Sequence, residues 1–386
     1  MSESNWSVPE TEVVQRIHDR LDAGGTDVLA TIVDVEGNAY RRPGAKMLLD
    51  DSGLGVGSIT AGCLEDELLS AADTVRESGR PELVTYDLMD DDEDVWGLGV
   101  GCNGVIDVLL EPLDETYRPA VEAFEAGDDI AVLTVLPSEG SELETGDRAY
   151  YTPGEDRLES PDGSPLEEWP DAALSGPAGD LAERGRAGVL SVDPDGTTVE
   201  VFVDGIAAPA ELVVFGTGHD VGPVTELAER NDFRVTVVGF RGAIDLESRF
   251  PTAHRTLTTS PGTIETDLDL DDRTYAVVMT HNFVDDRLTV ETLLDSPAPY
   301  VGLMGPHERF EEMLEEFEAE GRSFEKSELE SLYTPIGLDL GGGSPYQIAH
   351  SIVAEALAVE NGRTPRHLTE REGHIHERVE MAADSD

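Results

Sequence analysis

Lysine is almost absent from this chain: of its 26 basic residues only Lys46 and Lys326 are lysines, and the others are arginine. Against them stand 82 acids, for a formal net charge of −56 at pH 7. A field of that sign repels phosphate backbones, so nucleic acid is excluded as a charge-held partner. Cysteine is equally scarce. Cys63 and Cys102 form no CxxC pair and match no metal-finger spacing, which leaves reduced thiols as the default. No apolar run approaches the roughly 20 residues that a bilayer span needs. The opening residues MSESNWSVPE lack the charged-then-apolar pattern of a signal peptide. A cytoplasmic protein with no membrane contact is therefore expected.

What is present is a folded chain. Hydrophobic residues make up 39%, and the acids are interleaved with them instead of gathered in a tail. That pattern fits a halophilic protein, in which molar salt screens self-repulsion within a few ångströms. At 386 residues the chain holds two domains or more. Strand-like runs at 28–35, 45–50 and 54–59 are separated by turn residues, and a helix is expected from about Cys63 to Ser78. GLGVGCNGVIDVLLEPL (97–113) reads as a glycine-rich turn entering a strand. A further helix is expected over 116–127 and a buried strand over 130–136.

From 137 to 185 the composition turns to Pro, Gly, Ser, Asp and Glu, which predicts loops and short elements before hairpin runs at 188–192 and 198–204. From Glu211 strands and helices alternate: ELVVF, a glycine turn, a helix to Arg230, RVTVVGF, then TYAVVMT and YVGLM. The last helix is PYQIAHSIVAEALAVE, 345–360. The predicted class is α/β: an N-terminal α+β domain (1–136), an acidic connecting region with short strands (137–207), a C-terminal Rossmann-like doubly wound parallel sheet (208–362) and a charged tail (363–386).

Three constellations carry chemistry. Arg41, Arg42 and Lys46 place three cations in six residues of a chain that has few, which suits an anion. Next, in GSITAGCLEDE a strand enters a helix through Thr60-Ala61-Gly62, so Cys63 lies near a helix N-terminus. Helix dipole and free N–H groups lower a thiol pKa there, whereas Glu65, Asp66 and Glu67 raise it. A reactive thiolate and a small buried residue at a tight turn are both open readings, and so is coincidence for glycine-framed Cys102. Last, VVFGTGHDVG follows a strand and opens a helix, as a dinucleotide turn does. Yet Val221 stands at the third glycine place, and Gly239 where an acid would bind a ribose. Strand ends in this half also carry His219, Thr280-His281-Asn282 and Gly305-Pro306-His307.

In order, GAKM, GSITAGCLEDE, WGLGVGCNG with VLLEPL, VVFGTGH, MTHNF, YVGLMGP and IGLDLGGGSP-x-x-IA resemble the XdhC/CoxI family, over about 30–360. These are accessory proteins of xanthine dehydrogenase and related molybdenum hydroxylases. The resemblance implies a chaperone that binds the molybdenum cofactor, supports its sulfuration with a cysteine desulfurase, and inserts it into the apo-enzyme. It implies a homodimer, and Cys63 as the sulfur or cofactor contact, including a possible contact to molybdenum, with Cys102 as a second candidate. Arg41, Arg42, Lys46, Gly62, Gly216, Gly218, His219 and His281 are the candidate cofactor-binding residues. The competing readings are an NAD(P)-dependent oxidoreductase and a catalytically silent scaffold.

Overall fold

The computed structural model describes residues 5–37, 39–62, 64–88, 104–137, 143–155, 157–166, 169–193 and 197–370. Cys63, Cys102, the 97–103 turn and the end of the charged tail lie outside them. The chain divides into two compact units, which meet in sequence between Ala208 and Pro209.

The first unit runs α1 (Glu10–Ala23), β1 (Val28–Gly37), β2 (Lys46–Leu49), β3 (Gly55–Gly57), α2 (Glu65–Ser78), β4 (Glu82–Asp87) and β5 (Gly104–Pro112). It continues with α3 (Arg118–Ala126), β6 (Ile130–Val135), β7 (Arg148–Tyr151), α4 (Asp171–Glu183), β8 (Ala187–Val192) and β9 (Val199–Ile206). β3-β2-β1-β5-β4 form an antiparallel sheet, and β7-β6-β9-β8 a second.

The first six residues of β1 are all buried, because both faces of its sheet are covered. Val28, Ala30 and Ile32 pack with Leu68, Ala72 and Val75 of α2. On the other face Leu29 and Leu48 join α1, α3 and residues of the second sheet, and Val33 and Leu109 meet Phe202. Alternation therefore sorts side chains between two layers instead of between core and water.

The span 137–185, expected as loops and short elements, contains the short strand β7 and the 13-residue helix α4. Gly176, Pro177 and Gly179 within DAALSGPAGDLAE speak against a helix by propensity alone. Burial of Leu174, Ala178, Leu181 and Ala182 beneath the second sheet overrides them. The approach is so close that a Cβ on Gly205 of β9 would stand 2.1 Å from the Leu181 carbonyl oxygen.

Two ion pairs are buried between the sheets. Arg148 on β7 meets Glu111 on β5, their side chains 6% and 8% exposed. Lys46 on β2 meets Asp204 on β9 at 2.7 Å, at 11% and 6%. The Arg148 guanidinium also lies over the Tyr117 ring, 5.2 Å from its centroid. Burial pushes the Glu111 carboxyl above its ordinary range, against the pull of Arg148.

The second unit comprises β10 (Glu211–Phe215), α5 (Val221–Glu229), β11 (Arg234–Gly239), α6 (Leu246–Arg249), β12 (Arg255–Thr258), α7 (Ile264–Asp267) and β13 (Thr274–Val278). α8 (Phe283–Leu294), β14 (Tyr300–Leu303), α9 (His307–Ala319), β15 (Leu332–Tyr333) and α10 (Pro345–Glu360) complete it. The strand order is β12-β11-β10-β13-β14-β15, with every pairing parallel. This is the doubly wound order 3-2-1-4-5-6, which reverses between β10 and β13. Leu212 and Val214 pack with α5 and α10 on one face, and Val213 and Phe215 with α8 and α9 on the other. The Rossmann-like expectation is met.

Removing one member of a buried ion pair leaves the other uncompensated, which costs about 3–5 kcal/mol. Glu111→Ala is expected to lower the stability of the first unit by that order, read as the denaturation midpoint in molar salt. Glu111→Leu with Arg148→Met should recover most of the loss. A midpoint indifferent to Glu111→Ala would contradict the role given to the pair.

Candidate functional site

Each unit contributes a cluster. In the first, the chain leaves β3 and turns through Ser58–Gly62 to reach α2. Gly62 adopts φ +113°, a conformation that favours glycine. Leu64, at the N-cap of α2, offers no side-chain cap. Glu65 instead bridges the turn: its Oε1 accepts from the Thr60 hydroxyl at 3.1 Å, and its Oε2 from the Leu64 N–H at 3.0 Å. One carboxylate thus ties the residues on either side of position 63. Of the three first-turn acids, Asp66 and Glu67 face solvent.

The basic loop is largely neutralised. Lys46 donates to Asp204 and, at 2.9 Å, to the Gly44 carbonyl. Arg41 holds Glu10 Oε1 at 2.6 Å, and Arg42 approaches Glu10 Oε2 at 3.8 Å. Two guanidinium groups share one carboxylate, which leaves a single surplus positive charge. Of the expected anion cluster, Lys46 is a buried structural contact, while Arg41 and Arg42 keep solvent access.

The second cluster lies at the C-terminal edge of the parallel sheet. Gly216 directly follows β10 and lies against the neighbouring strand end, where an added Cβ would stand 2.6 Å from the Met279 carbonyl oxygen. Gly218 follows, then exposed His219 and half-buried Asp220. Asp220 Oδ2 lies 2.9 Å from His281 Nε2, the side chains 25% and 56% exposed.

His281 holds φ +60°, unusual for a residue with a side chain. Its neighbours impose it. Thr280 donates its N–H at 3.1 Å and its hydroxyl to Asp286 Oδ1. Asp286 is 1% exposed and also takes Arg309 Nη2 at 2.5 Å. On the other side Asn282 donates its N–H to Thr280 Oγ1, and its carbonyl oxygen Oδ1 caps α8 at the N–H groups of Val284 and Asp285. Backbone strain persists where flanking contacts over-determine it, as they do here.

The remaining candidates are engaged elsewhere. His307 Nδ1 meets the Thr334 carbonyl at 3.2 Å. Arg241, just past the end of β11 and the nearest cation to that strand end in sequence, pairs with Asp285 at 2.7 Å. Gly239 ends β11 with Thr217 Cγ2 at 3.0 Å and both Leu246 methyl carbons at 3.3 Å from where its Cβ would lie. A side chain there would need Thr217 and Leu246 to give by a few tenths of an ångström. Ser344 and Gln347 form a capping box on α10. Among the described residues, no group of three or more His, Cys, Asp or Glu is arranged to hold a metal ion. No helix among them is long and apolar enough to cross a membrane.

Spacing missed Asp220 and Asp286, and gave Glu65 only as one of three acids beside the thiol, not as the clamp of the turn. The only signal for Asp220 was its place directly after His219 in GTGHDVG, where a dinucleotide turn has no acid.

The XdhC and CoxI family model matches residues 20–87, and the XdhC Rossmann domain model 212–356. The chain is 30% identical over 348 residues to a Bacillus subtilis (strain 168) protein named as a probable xanthine dehydrogenase subunit, over 88% of this chain and 96% of that protein. It is 26% identical over 178 residues to the uncharacterized protein YqeB of Escherichia coli (strain K12), over 46% of this chain and 32% of that protein. A crystal structure described as a xanthine dehydrogenase from Bacillus halodurans matches with a TM-score of 0.73 and 27% identity, over 91% of this chain and 96% of that one.

Because Glu65 ties both flanks of position 63 and adds negative charge there, Glu65→Ala should raise the thiol labelling rate of Cys63 several-fold. The rate is read with an aromatic disulfide reagent in a Cys102→Ala background. An unaltered rate would separate Glu65 from the behaviour of the thiol.

Proposed function

The chain belongs to the XdhC and CoxI family, and we propose that it is an accessory protein of a xanthine dehydrogenase-type molybdenum hydroxylase. In this reading the molybdenum cofactor is cargo: the protein holds it, supports replacement of an oxo ligand by sulfur with a cysteine desulfurase, and passes it to the apo-enzyme. Support comes from relatives named for xanthine dehydrogenase that match nearly the whole chain. A soft thiolate at Cys63 suits molybdenum or persulfide sulfur, and the surplus charge of Arg41 and Arg42 suits the cofactor's phosphate.

One observation separates this reading from an NAD(P)-dependent oxidoreductase. A dinucleotide fold needs open space over its glycine turn. After the second strand it needs an acid for the ribose of NAD or an arginine free for the 2′-phosphate of NADP, whereas Arg241 is held by Asp285. Here the Asp220 carboxylate lies over Gly218, and Thr217 and Leu246 crowd Gly239. Both features weigh against nicotinamide chemistry in the second unit.

Wild-type and Cys63→Ala protein, purified in molar salt from cells making the cofactor, are compared for bound pterin, molybdenum and NADPH. Pterin and molybdenum are expected with the wild type and at least about tenfold less of both with Cys63→Ala. Stoichiometric NADPH with no pterin in either protein would overturn the accessory reading.

A further inference from the structure

The strand order of the second unit reverses between β10 and β13, and in such sheets ligands meet the strand ends at that point. In dinucleotide-binding examples of this architecture, the second glycine of the turn lets a pyrophosphate lie against the backbone. Here a side chain fills that space. Asp220 Oδ1 lies 2.3 Å from where a Cβ on Gly218 would stand. The carboxylate is not diverted to capping, since it makes no side-chain cap bond to α5. His281 Nε2 fixes its other oxygen at 2.9 Å, and Thr280, Asn282 and Asp286 fix the backbone that presents His281.

Charge points the same way. The arginines described at these strand ends are already matched, Arg241 by Asp285 and Arg309 by Asp286. Neither has surplus charge for a phosphate, while Asp220 adds a negative one. A carboxylate offers about four acceptor positions. His281 uses one of them, so an acceptor surface remains on the solvent side.

We infer that Asp220, held by His281, makes this switch point a receptor for a ring edge with adjacent N–H donors, an aminopyrimidine of the pterin or guanine kind, and keeps phosphates off the glycine turn. Paired N–H groups meet a carboxylate through two parallel, charge-assisted bonds, the geometry that makes such recognition specific. The choice of a pterin as one of the two rings rests on the cargo reading above; the guanine alternative does not.

The test titrates the full chain in molar salt with 6-hydroxymethylpterin, guanosine and ADP, followed by pterin fluorescence and by calorimetry. Wild type should bind one ring or both, and the tighter one identifies the source; ADP should show no saturable binding. Asp220→Asn replaces an acceptor with a donor and should weaken ring binding at least about tenfold. Asp220→Gly should admit ADP. His281→Gly suits the left-handed backbone and removes only the pin, so ring binding should weaken several-fold with an unchanged circular dichroism spectrum. Saturable ADP binding by wild type, no binding of either ring, or ring affinity untouched by Asp220→Asn would each overturn the inference. If the protein co-purifies with cofactor while Asp220→Asn changes nothing, this inference alone falls. If no cofactor co-purifies but guanosine binding depends on Asp220, the accessory reading falls and this one stands.

Discussion

Two ion pairs buried between the sheets of the first unit fix how that unit is put together. The N-terminal sheet contributes a cation and an anion, Lys46 and Glu111, and the second sheet answers with Asp204 and Arg148. Apolar contacts around them would tolerate a slide of one sheet over the other, since methyl groups have little direction. Charges are more demanding: the four groups already feel one another, with Asp204 raising and Lys46 lowering the Glu111 carboxyl, so a slide that broke either pair would leave a buried charge without its partner. The pairs add little net stability over well-packed apolar side chains, but in this fold they specify register. The strand that begins with Lys46 and the loop bearing Arg41 and Arg42 inherit their positions from that register.

The second unit has a comparable hierarchy. Asp286 is buried where it holds Thr280, Thr280 and Asn282 constrain the residue between them, and that residue places a ring against Asp220. Cause runs outward from a buried carboxylate to an exposed pair. The turn at Gly62 is organised more locally, by the Glu65 carboxylate and by the Gly62 N–H donating to the Thr60 hydroxyl.

Much of this was legible in the sequence where apolar runs were bounded by turn residues. β1, β2, β6, β10, β11, β13 and β14 fall where those runs predicted strands, and the alternation from Glu211 onward yields the parallel sheet. α4 was not legible, because its glycines and proline are tolerated only through tertiary burial. β4 is an edge strand with one buried residue, too weakly patterned to be read. For the sites, spacing located the glycine turn, the basic loop and the missing ribose acid. It does not encode side-chain direction, so Asp220 over Gly218 was invisible. Nor does local sequence reveal a partner 158 positions away, which is where Lys46 finds Asp204.

The near-absence of lysine acquires a chemical meaning once Lys46 is seen to be buried. Lys326 is then the one solvent-facing lysine of the chain. Reagents and enzymes that acylate or conjugate ε-amines therefore meet a single side-chain address, in the second unit. A dye, a spin label or a surface tether applied through amine chemistry would be placed there without engineering, and the first unit would pass through the reaction with its side chains untouched.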